Sequence, residues 1–470
     1  MFGLDAGLTT VLIICILAAC IFEFINGFHD TANAVATVIY TNSLKPSVAV
    51  VWSGIWNFIG VYFGGIAVAM GIVNLLPTAI LIDQSISHSV SMILSLILTA
   101  ILWNVGTWYF GIPCSSSHTL LGSIFGVGIA YGLLPDTAAV ALNWSKVKDV
   151  GIALLISPVF GFGMTMALVL LLKKNVKNKV IFNEPGKKKA PPLWIRSILV
   201  LTCTSVSYAH GSNDGQKGVG LMMIILIGLI PAHFALNHAK DPQELLSHVN
   251  KIEIGISAVD YKALNTENKS SLIIIGEKVD DIQASLLNVK SFTELKNNQP
   301  FEIRKDLIFI SKEMSKIFAH QPGEPKLKIA PENKALIEKE VKKAKAFTEY
   351  APWWVIFVIS ISLGIGTMVG WKRIVVTIGE KIGKEHLSYA QGASAELVAA
   401  STIGVSSLLG LPVSTTHVLS SGVAGSMVAT NGLKNLRMKT VKSILIAWLI
   451  TLPVTIIVSG GLFLLIRLFL

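Results

Sequence analysis

The chain has 470 residues, of which 52% are hydrophobic and only 14% charged, with a formal net charge of +11. Soluble domains carry about 25% charged residues, so the composition excludes a water-soluble enzyme with an anchor attached and points to a polytopic membrane protein. The positive excess is mostly loop lysine, which orients a chain in a bilayer and gives no footing for nucleic acid.

Ten apolar spans are predicted, at roughly 8–40, 47–75, 87–110, 114–134, 150–172, 193–231, 352–371, 388–409, 415–432 and 443–468. The first lacks a basic leader and a small-residue cleavage site, so it reads as a span and not a signal peptide. It carries Glu23 and then Asn26-Gly27-Phe28-His29-Asp30, with Asn33 one turn further on. Where span three gives way to span four stands Gly111-Ile112-Pro113-Cys114-Ser115-Ser116-Ser117-His118, followed by Thr119. Span six carries His210-Gly211-Ser212-Asn213-Asp214 and then Lys217. Span eight carries Glu396, and Gly410-Leu411-Pro412-Val413-Ser414-Thr415-Thr416-His417 stands before span nine. Spans one and six are too long for one straight crossing and are expected to break near their Asp motifs. Such breaks survive in lipid only where protein or a water-filled cavity satisfies the backbone. Cys15, Cys20, Cys114 and Cys203 lie in apolar sequence without metal-type spacing and read as small buried hydrophobes.

The paired motifs imply a duplication. The Asp motifs are offset by 184 residues and the His of the Gly-x-Pro motifs by 299. The difference, 115, matches a charge-rich insertion between spans six and seven; residues 233–350 hold 17 of the chain's 28 acidic residues. Without it, five spans repeat as five spans, and an odd number per repeat makes the second copy inverted. The expected organisation is a first repeat at 1–172, a basic linker at 173–192, the start of the second repeat at 193–231, a polar helical insertion at 232–351 and the rest of the second repeat at 352–470. Lys173, Lys174, Lys177, Lys179 and Lys187 to Lys189 place the linker in the cytoplasm. Both termini and the insertion then fall outside.

Charge inside a span costs about 2.5–3.5 kcal/mol at the centre and marks function by default. Four carboxylates qualify, Glu23, Asp30, Asp214 and Glu396. We expect them, with Asn213, to serve a coupling cation or metal. The hydroxyls Ser115, Ser116, Thr119, Ser414 and Thr415 stand at helix starts, where side-chain donors and free backbone N–H groups together suit a tetrahedral oxyanion. Helix capping is the plainer reading for one hydroxyl per helix. Asn33 could hold a cation together with Asp30 or join the hydroxyls on the oxyanion, whereas its counterpart Lys217 either fills a cation's place, binds that anion or pairs with Asp214. His118 and His417 are expected behind the site. A serine hydrolase would lack a nucleophile elbow, and an anion channel would lack a ring of pore charges. Central carboxylates in a single-chain inverted repeat suit alternating access, so the chain reads as a transporter and not an enzyme.

The stretches Asn26–Ala34, His210–Asp214 and Pro412–His417 resemble the signatures of the inorganic phosphate transporter (PiT) family. Ala209–Gly220 and Gly364–Lys384 are closest to its bacterial low-affinity branch, Pit. The resemblance implies an all-α fold of inverted repeats, inorganic phosphate as substrate, and uptake driven by a cation gradient in the cell inner membrane, with no covalent cofactor. It puts Asp30, Asn33, Ser115, Ser116, Thr119, Asp214, Ser414, Thr415 and Val418 at signature positions, though Val418 brings no hydroxyl. Sodium-coupled relatives tend to have Asn-Asp-x-x-Asn in both repeats; here the second copy ends in Lys217. That departure fits the proton-driven branch, thought to carry phosphate as a neutral complex with a divalent metal. A sodium-coupled phosphate or sulfate symporter of the same family is the alternative, and a homo-oligomer is compatible with either.

Overall fold

Each predicted span corresponds to helix, and no strand occurs among the described residues. The computed structural model describes residues 4–76, 86–134, 142–186, 190–259, 266–296, 298–319, 329–377 and 381–470. The side chain of Asn33 and the residues Lys187, Lys188 and Lys189 lie outside this description. The chain divides into two compact units, one of residues 5–225 with 351–470, the other of residues 226–350 with the first few residues.

The larger unit is built from α1 (Ala6–Asp30), α2 (Ala32–Tyr40), α3 (Pro46–Phe63), α4 (Ala67–Val73), α5 (Ile86–Tyr109), α6 (Ser116–Gly132), α7 (Trp144–Asn175), α8 (Leu193–His210) and most of α9 (Gln216–Leu229). After the insertion come α14 (Trp353–Met368), α15 (Tyr389–Leu408), α16 (Thr415–Asn431) and α17 (Met438–Ile466). Among the described residues, five stretches are long and apolar enough to cross a bilayer: Ala6–Tyr40, Pro46–Phe63, Ser87–Tyr109, Trp144–Asn175 and Met438–Ile466. This is a membrane protein by length and composition. Large side chains such as Leu17, Leu155 and Leu449 stand exposed on the outer faces of these helices, as lipid contact requires. By contrast α6 and α16 are buried on nearly every side. A helix apolar or small all round belongs in an interior.

Helices of the two halves pair with each other reciprocally. α6 packs on α17 and α16 on α7; α1 packs on α14 and α8 on α3. Both long partners, α7 and α17, carry an internal proline, Pro158 and Pro453.

The expected breaks at the Asp motifs are smaller than the sequence suggests. Thr31, between α1 and α2, keeps helical dihedrals (φ −50°, ψ −38°), so Ala6–Tyr40 runs almost without interruption. In the second copy, Gly211–Gly215 forms one turn of π-helix between α8 and α9. Widening a turn keeps every residue in a helical hydrogen-bond ladder, which lipid demands more than straightness.

The smaller unit is helical too: α10 (Pro242–Ser257), α11 (Thr266–Leu286), α12 (Gln299–Phe318) and α13 (Pro331–Lys345). Leu245, Ile252, Ile275, Ile282, Leu307 and Ile337 share its core. Buried Arg304 donates to the Ala235 and Thr348 carbonyls, and burial pulls its guanidinium down to about 10.

Candidate functional site

The Gly-x-Pro-x-hydroxyl recipe resolves into two helix ends. Gly111 (φ 66°) and Gly410 (φ 68°) both take the left-handed conformation that closes a helix. Gly111 N–H donates to Trp108 O at 2.9 Å and Ile112 N–H to Thr107 O at 3.0 Å, which is the Schellman pattern. Gly410 and Leu411 repeat it on Ser407 O and Ser406 O at 3.1 and 2.9 Å. Proline two residues later prevents resumption of the helix. The first hydroxyl then caps the next helix: Ser115 accepts from His118 N and Ser414 from His417 N, at 3.1 and 3.2 Å. Capping therefore accounts for one hydroxyl in each copy.

The next two hydroxyls in each copy point to buried charge. Ser116 Oγ donates to Asp30 Oδ2 at 2.7 Å, and Thr416 Oγ1 to Asp30 Oδ1 at 2.6 Å. One hydroxyl from each half thus meets on one carboxylate. Thr415 Oγ1 donates to Asp214 Oδ2 at 3.2 Å. Ser117 accepts from Lys217 Nζ and donates to Val413 O at 2.8 Å. Lys217 spends its three N–H donors on Ser117, on Asp214 Oδ1 at 2.8 Å and on Val413 O at 2.9 Å. Asp30 and Lys217 are 2% exposed and Asp214 is 0% exposed, so the group is shut off from solvent.

Two histidines complete it. His29 Nδ1 lies 3.3 Å from Asp30 Oδ1, and its Nε2 lies 3.2 Å from Thr107 Oγ1. His210 Nε2 lies 3.7 Å from Asp214 Oδ2 and 4.0 Å from Asp30 Oδ2. Asp30, His210 and Asp214 offer ligand atoms all within 4.8 Å of one another, a grouping able to hold a metal ion. Backbone proximity builds this corner. A Cβ on Gly211 would overlap the Asn57 carbonyl of α3, so only glycine lets the π turn press against that helix.

Not every expected residue arrives. Thr119 donates to Ser115 O of its own helix at 3.0 Å, a bond that helical spacing makes available to any threonine. Asn213 clamps the second loop instead, donating to Ser407 Oγ and Leu411 O and accepting from Val413 N. Glu396 sits apart, bonded by Thr37 of α2 and by Thr202 of α8, the latter at 2.5 Å. Glu23 borders the site: Asn26 donates to its Oε1 at 3.0 Å, and its Oε2 lies against Gly218 without a hydrogen-bond partner among the described residues. His118 and His417 stack with ring centroids 4.5 Å apart, and His417 stacks again on Trp448 at 3.8 Å. Ser117, Thr416, His29 and His210 belong to the group although spacing alone did not single them out. For His210 a signal existed, since an i,i+4 His–Asp pair shares one helix face.

A family model described as "Phosphate transporter family" (PHO4) matches residues 26–459. The low-affinity inorganic phosphate transporter PitA of Escherichia coli K12 is 39% identical, over 98% of this chain and 97% of its own. PitB of the same strain is also 39% identical over the same shares. A low-affinity inorganic phosphate transporter of Buchnera aphidicola (Acyrthosiphon pisum) is 40% identical over 94% of both chains. A solved structure titled "The sodium-dependent phosphate transporter" aligns with TM-score 0.55 over 98% of this chain and 100% of that one; at 19% identity it speaks for the fold alone.

Proposed function

The chain belongs to the phosphate transporter family, and from that premise we propose that it imports inorganic phosphate across the cell inner membrane by proton-coupled symport. The five-plus-five spans act as inverted repeats, with both termini outside. The reciprocal pairing of α6 with α17 and α16 with α7 supports the two-repeat reading. The similar relatives are named low-affinity phosphate transporters.

The observation that carries the coupling is the convergence on Asp30. Each hydroxyl has one proton to donate. While Ser116 and Thr416 give theirs to Asp30, neither can give it to a phosphate oxygen. Neutralising Asp30 weakens its hold and frees both donors, so cation and phosphate favour each other's binding. A place for that proton is at hand. Thr107 donates to Trp103 O and Asn104 O, so it accepts from His29 Nε2–H. The contact between His29 Nδ1 and Asp30 Oδ1 becomes a hydrogen bond only with one further proton, on the ring or on the carboxyl. Lys217 occupies the place of a second cation, which favours protons over a symmetrical sodium pair. Thr415, with Ser116 and Thr416, forms the oxyanion cradle, and Ser115 and Ser414 shape the helix starts behind it.

A second reading concerns the cargo. The Asp30–His210–Asp214 grouping favours entry of phosphate as a neutral divalent metal complex. Proteoliposomes test both readings with radiolabelled phosphate under an imposed pH gradient, then a sodium gradient, with and without divalent metal. Accumulation that follows the pH gradient is the expected result. Uptake that ignores pH and follows sodium overturns proton coupling, and flux that never saturates overturns a carrier in favour of a channel.

A further inference from the structure

His210 turns one ring nitrogen toward both carboxylates. The ring is 2% exposed, and its Nδ1 lies 2.9 Å from Asn57 Oδ1. The orientation of Asn57 is itself fixed. Its Nδ2 donates to Thr367 Oγ1 at 3.0 Å, and that hydroxyl spends its own proton on Leu363 O at 2.8 Å. Thr367 can therefore only accept from Asn57, and the amide oxygen must face His210. To make its bond, His210 Nδ1 carries the hydrogen, which leaves Nε2 bare in the neutral ring. Nε2 has no hydrogen-bond partner among the described residues. It faces Asp214 Oδ2 at 3.7 Å and Asp30 Oδ2 at 4.0 Å, both beyond hydrogen-bond length. Three electron-rich atoms aimed at one another in a dry interior repel unless a cation lies between them.

Resting on the phosphate-import reading and deepening it, we propose that His210 Nε2 is the third protein ligand of a divalent-cation site with Asp30 and Asp214, and that Asn57 is the residue that holds its tautomer. Two carboxylate oxygens and one imidazole nitrogen suit manganese, cobalt or zinc; a hard alkali ion gains nothing from nitrogen. Three protein ligands leave coordination positions open, and a phosphate oxygen fits one of them beside the hydroxyls of Ser116 and Thr415. The Asn57–Thr367–Leu363 relay is the outer support that orients a metal-binding imidazole. It links α3 to α14, so cation binding reports to helices outside the cradle itself.

The test is cation binding to the full-length protein in nanodiscs without phosphate. Mn2+ is followed by loss of the free-ion EPR signal and Co2+ by its visible spectrum, which registers nitrogen ligation. One site per chain is expected. His210→Gln loses the nitrogen signature and weakens Mn2+ at least about 10-fold, and Asn57→Leu weakens it by about 10–100-fold. Asn57→Asp still accepts from Nδ1–H and stays within about threefold, which separates the relay from simple misfolding. Equal Mn2+ affinity in His210→Gln and wild type overturns the assignment. So does a wild-type protein that binds phosphate but no stoichiometric metal, which leaves the phosphate reading standing. Metal binding without phosphate uptake upholds the site and overturns the transport reading instead.

Discussion

Asp30 and Asp214 occupy corresponding places in two copies of one motif, yet they are held differently. Asp30 is met by hydroxyls and histidines, and one of its two hydroxyls comes from each Gly-x-Pro helix. Asp214 is met by Thr415 and by the ammonium of Lys217 three residues on. The scaffolds around them match in detail, down to the left-handed glycine, the Schellman bonds and the capping serine. The two loops therefore share one local scaffold and differ in the charge that they meet. One carboxylate carries a resident cation, the Lys217 ammonium; the other is met by hydroxyls and histidines alone.

That contrast breaks most easily at the carboxylates themselves. Asp30→Asn and Asp214→Asn should each abolish gradient-driven phosphate accumulation in proteoliposomes. They should differ in stability. Asp214→Asn strands the buried Lys217 ammonium, and stranding one partner of a buried pair costs about 3–5 kcal/mol, so its thermal unfolding in nanodiscs should fall well below that of Asp30→Asn. Equal unfolding temperatures would refute the idea of a resident cation on Asp214 alone. The reciprocal experiment is sharper. Lys217→Met alone should be as destabilised as Asp214→Asn, and the double variant should regain most of the loss. A double variant no better than its parents would mean that Lys217 matters mainly for Ser117 and Val413 O.

Hydroxyls separate cradle from cap. Ser116→Ala and Thr416→Val each remove a donor to charge, worth about 1.5–3 kcal/mol, so the phosphate concentration for half-maximal uptake should rise about tenfold or more. Ser414→Ala removes a cap, worth about 1 kcal/mol of stability, and should leave that concentration within about threefold. A tenfold rise for Ser414→Ala would place its hydroxyl proton on the substrate as well.

Much of this was legible in the sequence because it is written locally. The apolar helical stretches and the Gly-x-Pro-x-hydroxyl stop-and-start need only neighbouring residues to be recognised. What the local pattern left open is which hydroxyl does which work. Ser115 and Ser116 are adjacent and alike, and only the arrival of Asp30 from another helix separates cap from donor. Asn213 and Asp214 are adjacent as well, but the π turn sends one to the Pro412 loop and the other to the cradle. Glu396 reads as a site carboxylate by cost alone, yet Thr37 and Thr202 satisfy both its oxygens elsewhere. Partners across the fold decide roles, and one sequence does not name them.

The smallest expected effect tests whether the scaffolds are as alike as they look. Gly111→Ala and Gly410→Ala both force a side chain into the left-handed region, at about 1–2 kcal/mol. A Cβ on Gly410 would also stand 3.1 Å from the Ala67 carbonyl, at the start of α4, so that loop or helix must give by a few tenths of an ångström. Gly410→Ala should therefore lower the unfolding temperature slightly more than Gly432→Ala, another left-handed glycine, whose Cβ would meet nothing within 4 Å, with phosphate affinity little changed in any of the three. Identical shifts for Gly410→Ala and Gly432→Ala would mean that the second loop has slack that its close contact with Ala67 conceals. A large loss of affinity in one variant alone would mean that the loops, and not only the charges between them, have diverged.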